Sequence, residues 1–120
     1  MKEFLIVTGT GRTSVTLEAV PFGTGLIVKI FNENAHLGAV AVGEYDTVQQ
    51  RASVSVITRL GHKDDALARK AAHDISKTLL LPVCVIAGVH LDNITPQEIE
   101  SVLSNTDNAV HAFLNSRQQT

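Results

Sequence analysis

The first half of the chain alternates apolar and polar positions in pairs, and the second half switches to a spacing near four. Up to residue 60, short segments rich in Val, Ile, Leu and Thr are separated by turns that contain glycine. β-branched residues suit a pleated, extended backbone, and glycine supplies the turn conformations that other residues resist. The pattern predicts strands over Phe4 to Thr10, Thr13 to Val20, Leu26 to Phe31, Leu37 to Gly43 and Val54 to Arg59, with sequential hairpins as the simplest connection. Leu67, Ala71, Ile75 and Leu79 then recur every four residues beside Ala68 and Ala72, in a segment opened by Asp64 and Asp65. That spacing places one apolar stripe along a helix. The run Val83 to His90 follows Pro82 and is too short for an ordinary helix, so it reads as a buried strand. Thr95-Pro96-Gln97-Glu98 has the form of a capping box with proline at the first helical position. Behind it, Ile99, Val102, Leu103, Val110, Phe113 and Leu114 form a second apolar stripe.

The expected fold is α+β: a mostly antiparallel sheet of about six strands with two helices packed on one face, in one domain over residues 1–120. Two helices cover a single face of such a sheet. Yet in the third strand Leu26, Val28 and Ile30 alternate with Ile27, Lys29 and Phe31, which is apolar on both sides. A second copy of a short chain is the economical cover for the remaining face, so a homodimer is expected.

Composition narrows the partners. The chain is 44% hydrophobic and 4% aromatic with a formal charge of -2, so it has core material but no basic excess for nucleic acid or an anionic membrane. Its longest apolar stretch, Leu79 to Val89, is about half of the ~20 residues a membrane span needs and contains Pro82 and Gly88. The first residues lack the pattern of an export signal. The single cysteine, Cys84, sits within Val83-Cys84-Val85-Ile86 and has no internal disulfide partner. A reducing cytoplasm is the expected location.

Among chemical motifs, Gly9-Thr10-Gly11-Arg12 carries two glycines of a dinucleotide fingerprint, but the third is missing and a strand pattern follows, so it reads as a hairpin turn. There is no Walker-type loop and no nucleophile elbow, and Cys84 is embedded in apolar sequence. The polar chemistry gathers instead in three turns: Asn34-Ala35-His36, Gly61-His62-Lys63-Asp64-Asp65 and His90-Leu91-Asp92-Asn93. Each has a plain structural explanation beside a functional one. Asp64 and Asp65 stand where a helix N-terminus favours carboxylates, and Asp64 is placed to cap it. Asp92 or Asn93 can bond nearby backbone in a turn. Alternation also puts His90 and Asp92 on one side of an extended chain. The segment Gly38-Ala39-Val40-Ala41-Val42-Gly43 is small enough for a backbone or a flat ligand to approach, or simply for tight packing. His73 and His111 fall mid-helix and read as surface or packing residues. Imidazole and carboxylate from separate turns suit zinc, manganese or iron, which makes His36, His62, Asp65, His90 and Asp92 candidate ligands of a divalent metal. Arg51 and Arg59, with Lys63, are candidate phosphate contacts on charge grounds.

Asn34-Ala35-His36-Leu37-Gly38-Ala39-Val40-Ala41, then Gly61-His62-Lys63-Asp64-Asp65, then Gly88-Val89-His90-Leu91-Asp92-Asn93-Ile94-Thr95 together resemble the LpdD-like proteins, over about Thr8 to Asn105. These are auxiliary proteins of UbiD-type decarboxylases, connected with prenylated flavin mononucleotide and similar in fold to proteasome-assembly chaperones. The resemblance implies a non-catalytic role: accepting the modified flavin from its prenyltransferase, protecting it, or delivering it to an apo-decarboxylase. On that basis the candidate cofactor contacts are Asn34, His36, Gly38, His62, Lys63, Asp64, His90 and Asn93, with Arg51 and Arg59 added for their charge. The scarcity of aromatics is a departure from a usual flavin site, leaving Phe4, Phe22, Phe31, Tyr45 and Phe113 or the aliphatic strand faces to pack the ring. Two rivals remain from the residues: a small enzyme using a metal-bound water, and a protein-interaction module in which every histidine is structural.

Overall fold

The computed structural model describes residues 1–59 and 64–118. Six strands form one sheet: β1 Phe4–Thr8, β2 Val15–Phe22, β3 Gly25–Phe31, β4 Ala39–Asp46, β5 Arg51–Thr58 and β6 Val83–Gly88. Helix α1 spans Asp65–Leu79 and α2 spans Pro96–Gln118. The strand order is β1-β2-β3-β6-β4-β5, antiparallel throughout except for the parallel pair β3 and β6.

Hairpins join β1 to β2, β2 to β3 and β4 to β5 as expected, but β3 and β4 are not neighbours. The last strand inserts between them. The reason lies in its composition: Val83-Cys84-Val85-Ile86-Ala87-Gly88 has no polar side chain to present at an edge, so it belongs in the middle of a sheet. The edge strand β5, with Arg51, Ser53, Ser55 and Thr58, tolerates solvent.

Both helices lie on one face. Val15, Leu17 and Ala19 of β2, Leu26, Val28 and Ile30 of β3, and Val83, Val85 and Ala87 of β6 point under them and are buried. Helix α1 packs over β4, β5 and β6, and α2 over β1 and β2. Phe113 of α2 is fully buried and meets Phe4 with ring centroids 5.4 Å apart. The small residues of β4 serve this packing. A side chain at Gly43 would stand 2.5 Å from the Ala72 carbonyl oxygen, so the strand is narrow because α1 lies directly on it. Helix α1 ends where Leu80 turns into the left-handed region at φ 55°, with its N–H still bonded to the Ser76 carbonyl. Helix α2 opens with the expected capping box: Glu98 N–H donates to Thr95 Oγ1 at 3.1 Å, and Thr95 N–H donates to Glu98 Oε1 at 3.0 Å. No helix among the described residues is long and apolar enough to cross a membrane.

Candidate functional site

The topology brings one residue from each of the three turns, His36, Asp64 and His90, to one end of the sheet. Because β6 separates β3 from β4, the chain leaving Phe31 must cross over the end of β6 before it can start β4. It crosses at Gly88. A Cβ there would sit 1.5 Å from the His36 carbonyl oxygen, so only glycine lets the crossing segment lie this close. The crossing delivers His36 beside the residues that follow β6, and Gly38 N–H then donates to the Ala87 carbonyl to begin β4.

Asp64 is the centre of the arrangement. It holds the N-cap position of α1 but makes no capping bond with its side chain. Its carboxylate turns inward, accepting the Val89 backbone N–H at Oδ1 (3.1 Å) and the His36 Nε2–H at Oδ2 (3.0 Å). The capping explanation therefore fails for Asp64. Its side chain is 7% exposed, a position a carboxylate keeps only with hydrogen-bonding partners. Gly38 accounts for the room it needs, since a Cβ at that position would stand 1.9 Å from Asp64 Oδ2.

A second imidazole stands beside the first, with the His36 and His90 rings 5.4 Å apart. His90 Nε2 donates to Asp92 Oδ1 at 2.9 Å, as alternation predicts. The turn that carries them is fixed by two side chains that sequence reasoning passed over. Asn32, buried at the end of β3, grips the His90 backbone twice: its Nδ2 donates to the carbonyl (2.7 Å) and its Oδ1 accepts the N–H (3.1 Å). Arg12, from the β1–β2 turn, donates from Nη2 to the Asp92 carbonyl at 2.7 Å and also pairs with Glu98 at 3.1 Å. The bond from Arg12, together with those from Thr95, holds the Glu98 carboxyl below its ordinary value of 4.5. A buried asparagine after an apolar strand signals a hydrogen-bonding duty, but nothing in the sequence points to a partner 58 residues away.

His36, Asp64 and His90 line one rim of a cavity of about 360 Å³ between the starts of the two helices. The remaining lining is nearly all aliphatic: Leu67 of α1, Val89, Leu91 and Ile94 of the turn, and Ile99, Val102 and Leu103 of α2. None of the five aromatic residues takes part.

The other candidates scatter. Arg59 is close to the crossing segment, its Nη1 donating to the Leu37 carbonyl (3.0 Å) and its N–H to the Gly38 carbonyl (2.9 Å). Arg51 opens the eight-residue β5 opposite Asp46, at the far end of the strand from the site. Asp65 lies on the β5 side of α1, lining a surface groove with Ala52, Val54 and Arg69 rather than joining His36. A helix turns about 100° per residue, so adjacent aspartates cannot both face the site, and Asp64 takes the inward place. Asn34 and Asn93 are exposed in the flanking turns, Asn93 at φ 52°. Gly61, His62 and Lys63 lie outside the described residues. Among the described residues, no three His, Cys, Asp or Glu side chains converge to hold a metal. His73 and His111 stand away from the cavity; His73 pairs with the neighbouring Asp74 at 3.1 Å.

A six-stranded mixed sheet with both helices on one face defines the proteasome-assembly-chaperone type of fold. The solved structure described as a novel chaperone complex for yeast 20S proteasome assembly superposes with a TM-score of 0.64 at 16% identity, covering 98% of this chain and 95% of that one. The chain itself belongs to the prenylated flavin chaperone LpdD-like domain family, which matches residues 9–118. No curated protein matches it by sequence.

Proposed function

We propose that this chain is a non-catalytic carrier of prenylated flavin mononucleotide, taking the cofactor from a flavin prenyltransferase and handing it to a UbiD-type decarboxylase in the cytoplasm, as a homodimer. The observation that carries the proposal is the aliphatic cavity with two carboxylate-backed imidazoles on its rim. Family membership supports the same direction.

The residues present fit such a ligand. A volume of about 360 Å³ falls within the usual range of small-molecule sites, roughly 300–1,000 Å³. Walls of Leu, Ile and Val accept a flat ring system that an isoprenoid unit has made more apolar, by removing that surface from water. The imidazoles supply directional hydrogen bonds at the wet rim, where a ribityl chain and phosphate belong. Asn34, Arg59 and Asn93, in the segments flanking the rim, are proposed to assist, as are His62 and Lys63. When bound, the cofactor brings its own redox and cycloaddition chemistry; the chain's part is to hold it, orient it and exclude water. Cys84 faces the opposite side of the sheet and serves no nucleophilic role at this cavity.

Anaerobic titration with the reduced cofactor, followed by native mass spectrometry, should give one cofactor per chain. Leu103→Glu, which puts a charge into the cavity wall, should abolish binding while the circular dichroism spectrum stays the same. Absence of a complex at tens of micromolar, or undiminished binding by the Leu103 variant, would overturn the proposal.

A further inference from the structure

The aliphatic cavity continues past the starts of the helices. A second cleft of about 240 Å³ runs on between α1 and α2, and Ala66, Leu67 and Leu103 belong to the walls of both. Beyond that shared wall the floor is Ala71 of α1 with Thr106 and Val110 of α2, all buried. Residues three or four apart on each helix share a face, so Leu67 and Ala71 stand along one side of the seam and Leu103, Thr106 and Val110 along the other. Ala66 and Ala71 are too short to fill the space between them.

The polar atoms of this cleft are already engaged. Thr106 Oγ1 donates to the Val102 carbonyl at 2.8 Å within its own helix, so the floor offers no hydroxyl to a ligand. At the mouth, Lys70 Nζ stands 3.2 Å from Asp74 Oδ2 and 3.0 Å from Asp107 Oδ1. One ammonium between two carboxylates leaves a net negative mouth, which disfavours an anion. His36 and His90 line the first cavity and not the cleft. An apolar cavity of roughly 150 Å³ is enough to hold benzene, so the cleft has room for a branched five-carbon chain, while its lining has nothing to offer a phosphate.

We infer that the cleft between α1 and α2 is a subsite for the isoprenoid-bearing end of the ligand. The ligand's direction follows: its apolar end lies between the helices and its phosphate at the histidine rim. That the whole ligand is prenylated flavin mononucleotide rests on the carrier reading above; the preference of the cleft for a branched apolar chain rests on its lining alone.

Carbon-13 methyl spectra of the full chain test this with two probes. The fragment 3-methylbut-2-en-1-ol, at millimolar concentration, should shift the Ala71 and Val110 methyl signals saturably. Ala66→Leu, at an exposed position on the shared wall, should weaken that binding at least fivefold and binding of the reduced cofactor at least tenfold. Ala71→Leu, which fills the floor, should do the same, and the Ala66 variant carries the test alone if the buried substitution does not fold. The cofactor should displace the fragment. Its phosphorus-31 signal in the complex should change with His90→Ala and stay in place with Lys70→Gln. A fragment that leaves both methyl signals unmoved, an Ala66→Leu chain that binds either probe as the wild type does, a cofactor that binds with the fragment still seated, or a phosphorus signal that answers to Lys70 would each overturn the subsite. Fragment binding with no cofactor binding sinks the carrier proposal and leaves the subsite's preference standing.

Discussion

His36 with Asp64 and His90 with Asp92 are the same chemical pair at nearly the same separation, 3.0 and 2.9 Å. Their surroundings differ completely. The Asp64 side chain is 7% exposed and that of Asp92 is 83% exposed. A buried carboxylate ties down everything that satisfies it, here a ring and the Val89 amide, and so sets the shape of the cavity rim. An exposed one competes with water and contributes little to stability. Distance alone therefore does not rank the two pairs; solvent does.

The sharpest test of that contrast is Asp64→Ala. It removes the acceptor of the Val89 N–H and of His36 Nε2 together, and should cost about 3 kcal/mol in urea unfolding, the order seen when one partner of a buried pair is removed. Asp92→Ala should change stability by less than about 0.5 kcal/mol. If the two variants unfold at the same urea concentration, burial is not what distinguishes them.

Gly38→Ala comes next, at about 2 kcal/mol, because the added methyl displaces the Asp64 carboxylate. In an Asp64→Ala background the same change should cost under half as much, since the atom it strikes is gone. Additive losses would mean that Gly38 answers to the Ala87 carbonyl instead, 3.0 Å from the same position. His90→Ala should leave stability within about 0.5 kcal/mol yet weaken cofactor binding by about tenfold, the loss of one hydrogen bond worth roughly 1.4 kcal/mol. Equal binding would remove the exposed pair from the site.

The smallest effect is pH-dependent. The Arg12 bond keeps Glu98 ionised below its ordinary 4.5, so the contribution of that pair is complete above 4.5 and fades as pH falls through the lower folded value. Amide protection factors in the 90–93 turn, which divide out the fall of the intrinsic exchange rate with acid, should drop below pH 4.5, ahead of global unfolding, and Arg12→Gln should show the lower protection already at neutral pH. Protection factors that stay flat to pH 3 would remove Arg12 and Glu98 from the support of that turn.

Sequence patterns identified the elements well where side chains alternate between core and solvent. Both helices, the capping box and the buried character of the run after Pro82 were legible for that reason. The hairpin of β4 and β5 extends further than its apolar residues do, from Glu44 through Ser53, because backbone pairing continues where both side-chain faces meet water. Thr8 ends β1 two residues early, since Gly9 turns at φ 80° into a 3-10 turn at Gly11–Thr13. The crossing of β6 between β3 and β4 was hidden, because order within a sheet depends on which edges can bear solvent and leaves no local trace. At the site, His36, Asp64, His90 and Asp92 were all named from their turns. Their sorting was not visible: which of two adjacent aspartates faces inward is settled by helix phase, and Asn32 and Arg12 act across long stretches of chain.

The insertion of β6 also fixes an order of events during synthesis. As the chain emerges, β1 to β3 and β4 to β5 can each pair locally, but no strand pairing joins the two groups until Val83 to Gly88 arrives. The strand that fuses the two halves is the one leading directly to His90, and its arrival also lets Asp64 find the Val89 amide. A chain that stops before this strand thus lacks the cavity, whose walls include Val89 and Leu91 of the turn after β6 and Ile99, Val102 and Leu103 of α2.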